Sequence, residues 1–537
     1  MMSAWWQNSG LRTLALILLC LALYLPGLAS LPPFDRDESR FAQASRQMVE
    51  SGNYVDIRFQ DETRYKKPIG IYWLQSASAN ITGAVDRIWA YRIPSLLAAI
   101  LAVCMTAAIA ARFYGAAAGL LAGAILASCL LLGVEARMAK TDATLLALVL
   151  ATQYVLSRLW LEKQISRQLA LLFWLAMGAG ILVKGPIILI PAISVAGLLS
   201  LQQRSASWLK PLQPLWGLPL CLAVVAPWLI AITLKSHGQF WHDSVGQDLL
   251  AKAAGTQESH GGPPGYYLGT VFVTFWPWAA LLLPAAWYAV KQRQDARVQF
   301  LLAWIVPFWL LFEFFPTKLL HYTLPVFPAL ATLCAAILLE KSTIPPRLKM
   351  AALGLGGLLL VLVAAGVPLA PAYAFPVAMP LSFLSLGAGL LLIAGSFVAF
   401  GLRRTKPALA IGIALVVLAN FYAAFWGRQF PGMDEFWVSR SAAQLVAPYR
   451  ADCPGPVTAI GYNEPSLVFY LGKETQFATD FVAEQAKPVN DCRLLLVEQH
   501  ALQTDDTTPA LGVIHGFNYS RGKEVALYLF RLQPLAP

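Results

Sequence analysis

Apolar and polar positions along this chain fall into long blocks, not into the short alternations of a soluble fold. Runs such as Leu14–Leu25, Leu120–Leu132 and Leu353–Ala365 are near-continuous and uncharged. With their flanks they reach the ~20 residues that a bilayer core demands. The pattern predicts thirteen spans, at about 11–31, 90–111, 115–134, 142–160, 169–183, 186–201, 212–234, 266–290, 298–315, 318–339, 348–368, 381–402 and 407–426. The expectation is therefore a polytopic α-helical membrane protein. Met1–Gly10 and Arg12 precede the first run without a clear small-residue cleavage site, which reads as an uncleaved anchor.

Two polar regions interrupt this pattern. In 32–89, residues Glu38–Glu50 carry Phe41, Ala44, Ser45 and Met48 at helical spacing, which predicts an amphipathic helix in the membrane interface. Gly52 ends it, Tyr54–Phe59 alternates like a strand, and Pro68–Ala79 reads as a second interfacial helix. After the last span, short apolar runs (Val457–Ile460, Leu494–Val497, Val513–Ile514, Val525–Phe530) alternate with Gly- and Pro-containing turns. They predict a small α/β domain over 428–537, following a membrane domain over 1–427.

Charge adds orientation. The chain carries a formal +11, yet only 13% of its residues are charged. The excess Lys and Arg fall in alternate short loops (Arg112; Arg158, Lys163 and Arg167; Arg204 and Lys210; Arg403, Arg404 and Lys406), so the balance argues for the positive-inside rule, not for nucleic acid. The other loops, and everything after 427, then face the periplasm if the source is a bacterium. Five of seven cysteines lie in apolar runs; Cys453 and Cys492 are left in the polar region, where they either pair in an oxidising compartment or stay as free thiols.

The chemistry concentrates in Phe34–Trp73, where seven acids sit among seven bases. Such balance predicts a folded polar site, since disordered tails carry like charges in blocks. Asp37 and Glu38 form an acidic pair just past the first span, and Asp142 stands at the outer start of the fourth. An acid at a membrane boundary is costly unless paired or solvated, although Asp142 also suits a helix N-terminus. Lys67 precedes Pro68 at a predicted helix start, an arrangement that favours a bound anion. Lys184 in Val-Lys-Gly-Pro repeats it, though alone it suits snorkelling to headgroups. Lys318, His321 and Tyr322 share one outward helical start. His237, His242 and His260 share a loop, His260 beside Gly261-Gly262-Pro263-Pro264; their spacing matches no standard metal motif, so a divalent metal stays open but unsupported. There is no Walker A loop, GxGxxG or GxSxG, which shifts the energy source to a lipid-linked donor.

Taken together, RDESRFAQASRQM, GNYVDIRFQDETRYKKPIGIYWLQ, RIPS, ARMAKTDA, VKGP and HYTLP resemble the bacterial aminoarabinose transferases, GT-C glycosyltransferases related to the protein O-mannosyltransferases. The resemblance covers the membrane portion and is strongest over 30–100 and 135–145. It implies a GT-C fold, an undecaprenyl phosphate-sugar donor, lipid A or another periplasmic acceptor, and an inner-membrane location among membrane lipids. It implies Asp37 as principal catalytic carboxylate, Asp142 as a second acid, and Lys67, Arg40, Tyr65 and Tyr322 at the donor phosphate. Glu38, Arg64, Lys184, His260, Lys318 and His321 complete the expected substrate-binding set, and the expected state is a monomer. One departure stands out: the family commonly carries Glu where this chain has Lys66. The competing readings keep the fold with a uronic acid or hexose donor or a protein or polysaccharide acceptor, or make the chain a lipid or sugar transporter, or an inactive scaffold. A transporter would carry charges near the midplane, whereas here they gather at one face.

Overall fold

The computed structural model describes residues 8–250, 261–340, 344–374, 379–487, 492–502 and 509–532. Nine helices among these are long and apolar enough to cross a membrane, and the chain is a multi-pass membrane protein. One of the nine, Arg167–Gln203, covers two expected spans. Gly185 at φ +76° ends α8 (Arg167–Lys184), a 3-10 turn follows over Gly185–Ile188, and α9 (Leu189–Gln203) continues. Three shorter apolar helices, Ser9–Tyr24 (α1), Ala116–Ser128 and Ala279–Lys291, meet three more expected segments.

The first polar loop folds into α2 (Asp37–Ser51), a two-residue hairpin of β1 (Arg58–Phe59) and β2 (Glu62–Thr63), and α3 (Gly70–Thr82). Gly52 closes α2 in the left-handed conformation. α2 does not lie at an open interface. Ser39, Phe41, Ala42, Ala44, Ser45 and Met48 are all buried, because the helix is covered by α3 on one side and by helix Pro465–Leu471 on the other. Gly70 lets α3 begin hard against the end of α8: a Cβ there would stand 2.8 Å from the Leu182 carbonyl. That close approach brings the Lys67 segment beside Lys184.

Beyond the last span a five-stranded mixed sheet forms, in the order β4-β3-β5-β7-β6. Its strands are β3 (Val457–Ile460), β4 (Gln476–Ala478), β5 (Arg493–Glu498), β6 (Gly512–Asn518) and β7 (Lys523–Leu532). β3 runs parallel to β4 and β5; β7 pairs antiparallel with β5 and β6. Cys453 and Cys492 are joined in a disulfide. The sheet domain sits on the first loop through Arg46 Nη1 donating to Phe469 O (3.1 Å), Gln60 donating to Lys473 O (3.0 Å), and Phe34 packed edge-on to Trp437 (5.1 Å).

Beneath that contact lies the fastening that fixes the polar loop to the helices. Arg92, on the helix Ile88–Tyr114 (α4), is fully buried and uses every donor it has. Nε donates to Glu38 Oε1 (2.8 Å), Nη1 to Leu28 O and Leu31 O, and Nη2 to Pro32 O and Glu38 Oε2. Glu38, also fully buried, accepts in addition from Phe34 N and Ala139 N, each at 2.8 Å. The pair thus ties the chain after α1, the start of α2, and the loop before Asp142 to one point. Glu38→Ala, which strands a buried guanidinium, should cost ~3–5 kcal/mol in a denaturation titration of the detergent-solubilised protein. Pairing it with Arg92→Leu should recover part of that loss, and equal melting of Glu38→Ala and wild type would remove the fastening role.

Candidate active site

At one end of the helical bundle opens a cavity of about 710 Å³. Asp37, Arg40, Arg64, Lys66 and Lys67 line it from the first loop, and Lys140 and Asp142 from the turn that starts α7 (Asp142–Glu162). Lys184 adds to it from the end of α8, and His321 and Tyr322 from the 3-10 turn Leu320–Val326. The opposite flank is apolar, built by Ile187, Ile190 and Ile193 together with Leu311, Phe312 and Phe315. Ile193 is 63% and Leu311 45% exposed, so that flank reaches the outer, lipid-facing surface of the bundle.

The polar wall is one connected set of charges. Lys184 Nζ bonds Asp142 Oδ1, and Lys140 Nζ bonds Glu135 Oε1 at 3.0 Å while standing 4.0 Å from Asp142 Oδ2. His321 lies between the two acids, Nε2 at 3.7 Å from Asp142 and Nδ1 at 3.9 Å from Glu135. Enclosure would push the Asp37 carboxyl up, but Lys140, Arg64, His321 and Lys67 outweigh it and hold Asp37 below the usual carboxylate range. Burial likewise presses the Lys140 ammonium down, and Glu135, Asp142 and Asp37 together keep it above its ordinary value. Among the lining side chains seven are cationic (Arg36, Arg40, Arg64, Lys66, Lys67, Lys140, Lys184) and two are carboxylates, so the cavity suits anionic guests. Glu135, Asp142 and His321 offer ligand atoms within 4.8 Å of one another. Lys184 and Lys140 already pair with Asp142 and Glu135, although Glu135 Oε2 is buried without a hydrogen-bond partner.

Of the residues expected from the sequence, the structure gathers Asp37, Asp142, Lys67, Arg40, Arg64, Lys184, His321 and Tyr322 in this cavity. Lys184, which alone suited snorkelling, is ion-paired instead. Three expected residues are elsewhere. Glu38 is consumed by Arg92 and by the backbone N–H groups of Phe34 and Ala139. Tyr65 donates to Asp56 Oδ1 (2.7 Å) and packs edge-on to Phe240. Lys318 is buried against the carbonyls of Phe312 and Glu313, where it caps the helix Ala296–Phe314. His260 lies outside the described residues, and His242 is an exposed partner of Asp243. Sequence reasoning missed Glu135 and Lys140, which a search for charges inside apolar segments would have flagged. It also missed Arg36, Tyr519 and Ser520, the last two reaching the cavity from the sheet domain.

Comparison with known proteins places this geometry. The profile of the dolichyl-phosphate-mannose-protein mannosyltransferase family matches residues 66–230. A protein of Aeromonas salmonicida named undecaprenyl phosphate-alpha-4-amino-4-deoxy-L-arabinose arabinosyl transferase is 32% identical over 372 residues, 67% of this chain and 66% of that protein. Its namesake in Enterobacter sp. is 27% identical, over 64% of this chain and 62% of its own length. The chain is thus similar in sequence to lipid-linked sugar transferases related to the O-mannosyltransferases. The matched region spans just under two thirds of those relatives. Among solved structures, ArnT from Cupriavidus metallidurans bound to undecaprenyl phosphate shares the fold at TM-score 0.77 and 20% identity, covering 96% of this chain and 97% of that one. An oligosaccharyltransferase from Archaeoglobus fulgidus shares it at TM-score 0.52 and 11% identity, over 90% of this chain and 66% of that one. This GT-C chain thus has the membrane fold and the C-terminal sheet domain expected of it.

One acid beside the site serves a different end. Asp35 accepts from Ser466 N (3.3 Å) and from the Ser466 hydroxyl, its own N–H donates to Tyr519 Oη (2.6 Å), and Ser466 continues to Ser439 and Tyr462. Desolvation, then the neighbouring Glu464, push its carboxyl from the usual 3.8 to about 7. An acid that titrates higher when folded takes up a proton on folding. This contact is therefore strongest below about pH 4 and weakens as pH rises to about 7. Wild-type melting temperature should fall between pH 5 and pH 8 relative to Asp35→Asn, and parallel curves would refute the assignment.

Proposed function

We propose that this chain transfers 4-amino-4-deoxy-L-arabinose from undecaprenyl phosphate to lipid A, at the periplasmic face of the bacterial inner membrane. One observation carries the reading: a single cavity joins a cation-rich wall holding two carboxylates to an apolar flank open toward lipid. A polyprenyl chain lies against Ile190, Ile193 and Leu311, and its phosphate meets Lys67 and Arg40. The similarity to proteins named as aminoarabinose transferases supports the choice of sugar. The loops that line the cavity balance their bases with acids and lie opposite the set whose Lys and Arg have few acids beside them, which supports the periplasmic side.

Transfer breaks the bond between C1 and the phosphate oxygen, and the electron pair leaves with undecaprenyl phosphate, which gains a charge. Lys67, Arg40 and Arg64 stabilise that charge in a preorganised setting. The acceptor oxygen bonds C1 from the opposite face, so the anomeric centre inverts. Asp37, kept ionised by Lys140, Arg64 and Lys67, is a weak base and a lasting anion. That suits a phosphate acceptor, which needs no deprotonation, with Asp37 stabilising oxocarbenium charge at C1. Asp142, held by Lys184, frames the same centre.

In a membrane assay with purified lipid-linked aminosugar and lipid A, Asp37→Asn should lower turnover by ~10³-fold or more with melting unchanged. Lys67→Met should lower it ~10²–10³-fold. Wild-type turnover in Asp37→Asn would remove that residue from the mechanism. Mass spectrometry of lipid A from cells with and without the chain should show an added aminopentose. An added hexose or uronic acid, or unmodified lipid A, would move the reading to another donor or acceptor.

A further inference from the structure

The sheet domain contributes to the cavity itself. The turn joining β6 to β7 brings Tyr519 and Ser520 into the lining, on the polar wall and away from the apolar flank. The turn is held firmly there. Tyr519 stacks on Phe436 with centroids 4.4 Å apart and rings 5° from parallel, and its hydroxyl accepts from Asp35 N. Arg36 Nη2 donates to Ser520 O at 3.0 Å. Arg36 keeps a backbone φ of +68°, a conformation costly for a residue with a side chain. That kink turns Asp35 toward the sheet domain while Asp37 faces the cavity. Within this fixed frame the Ser520 hydroxyl has no hydrogen-bond partner, although it is buried in the cavity wall. A buried polar group is normally satisfied, so an orphan hydroxyl on a binding surface marks a contact made to a guest.

We propose that the β6–β7 turn is the acceptor-recognising wall of the site, where the Ser520 hydroxyl and the Arg36 guanidinium bind a phosphorylated saccharide head group. The argument is one of exclusion by shape. The donor's lipid must follow the apolar flank, and its phosphate the Lys67 side. The second substrate therefore enters between Arg36, Lys66 and the turn. Arg36 supplies planar donors for a phosphate, and Ser520 donates to, or accepts from, an adjacent sugar hydroxyl. The two are linked through the Ser520 carbonyl, so they act as one unit. This inference rests on the glycosyl-transfer reading above and assigns the acceptor's half of the site.

The test separates the two substrates kinetically. With purified lipid-linked aminosugar and lipid A, Ser520→Ala should raise the lipid A KM about 3- to 10-fold while leaving the donor KM unchanged. Ser520→Thr, which keeps the hydroxyl, should restore it. Arg36→Gln should raise KM more for bisphosphorylated than for monophosphorylated lipid A. An unchanged lipid A KM in Ser520→Ala, or equal rises in both KM values, overturns this assignment while leaving sugar transfer in force. Failure of the wild type to move sugar to any acceptor overturns the transfer reading itself, and this one with it.

Discussion

A guanidinium and a carboxylate, both cut off from water, hold this structure's working end together. Arg92 and Glu38 are each fully buried, and desolvating two charges costs so much that a pair of this kind adds little net stability. What it adds is position. Four backbone segments meet on its hydrogen bonds, so that Asp37 at the start of α2 and Lys140 in the loop before α7 share one frame.

That frame supports an unusual charge balance. Seven cations and two carboxylates around one cavity repel one another unless something negative arrives. The acids Asp37, Asp142 and Glu135 relieve part of the repulsion, and they are the reason Lys140 and Lys184 can stay charged in a confined space. On the proposed reading, a phosphodiester and a phosphorylated acceptor would complete the balance. The same attraction that draws them in would grow as the bond to C1 breaks, since the departing phosphate would be more negative than the bound diester, so that one electrostatic arrangement would serve both binding and rate acceleration.

Much of this was legible in the residues, and the failures are instructive. The apolar runs in 457–530 each became a strand, because a short apolar run bounded by turns suits a buried strand and is too short for a span. Among the described residues the thirteen expected spans meet nine long helices and three shorter apolar ones, and the break expected at 184–185 falls where Gly185 ends α8. Asp37, Lys67 and Asp142 stood out because an ionisable group at a membrane boundary needs a reason. Glu38 misled for the same cause: sequence shows that a charge is present, not which neighbour takes it. Its partner Arg92 lies 54 residues away, within an apolar helix. Tyr519 and Ser520 carried no signal at all, since nothing local links a β-turn to a loop 484 residues earlier. α2 was found as a helix, yet its cover by the sheet domain could not be read from its own pattern.

The kink at Arg36 has a further consequence. Asp35 and Asp37 are two peptide units apart and serve opposite surfaces, one gripping the outer domain and one facing the reaction space. The spacing between them is a covalent ruler of fixed length. Lengthening or shortening it by a single residue would pull both carboxylates off their surfaces at once, so an insertion or deletion here should loosen the outer domain and the cavity together.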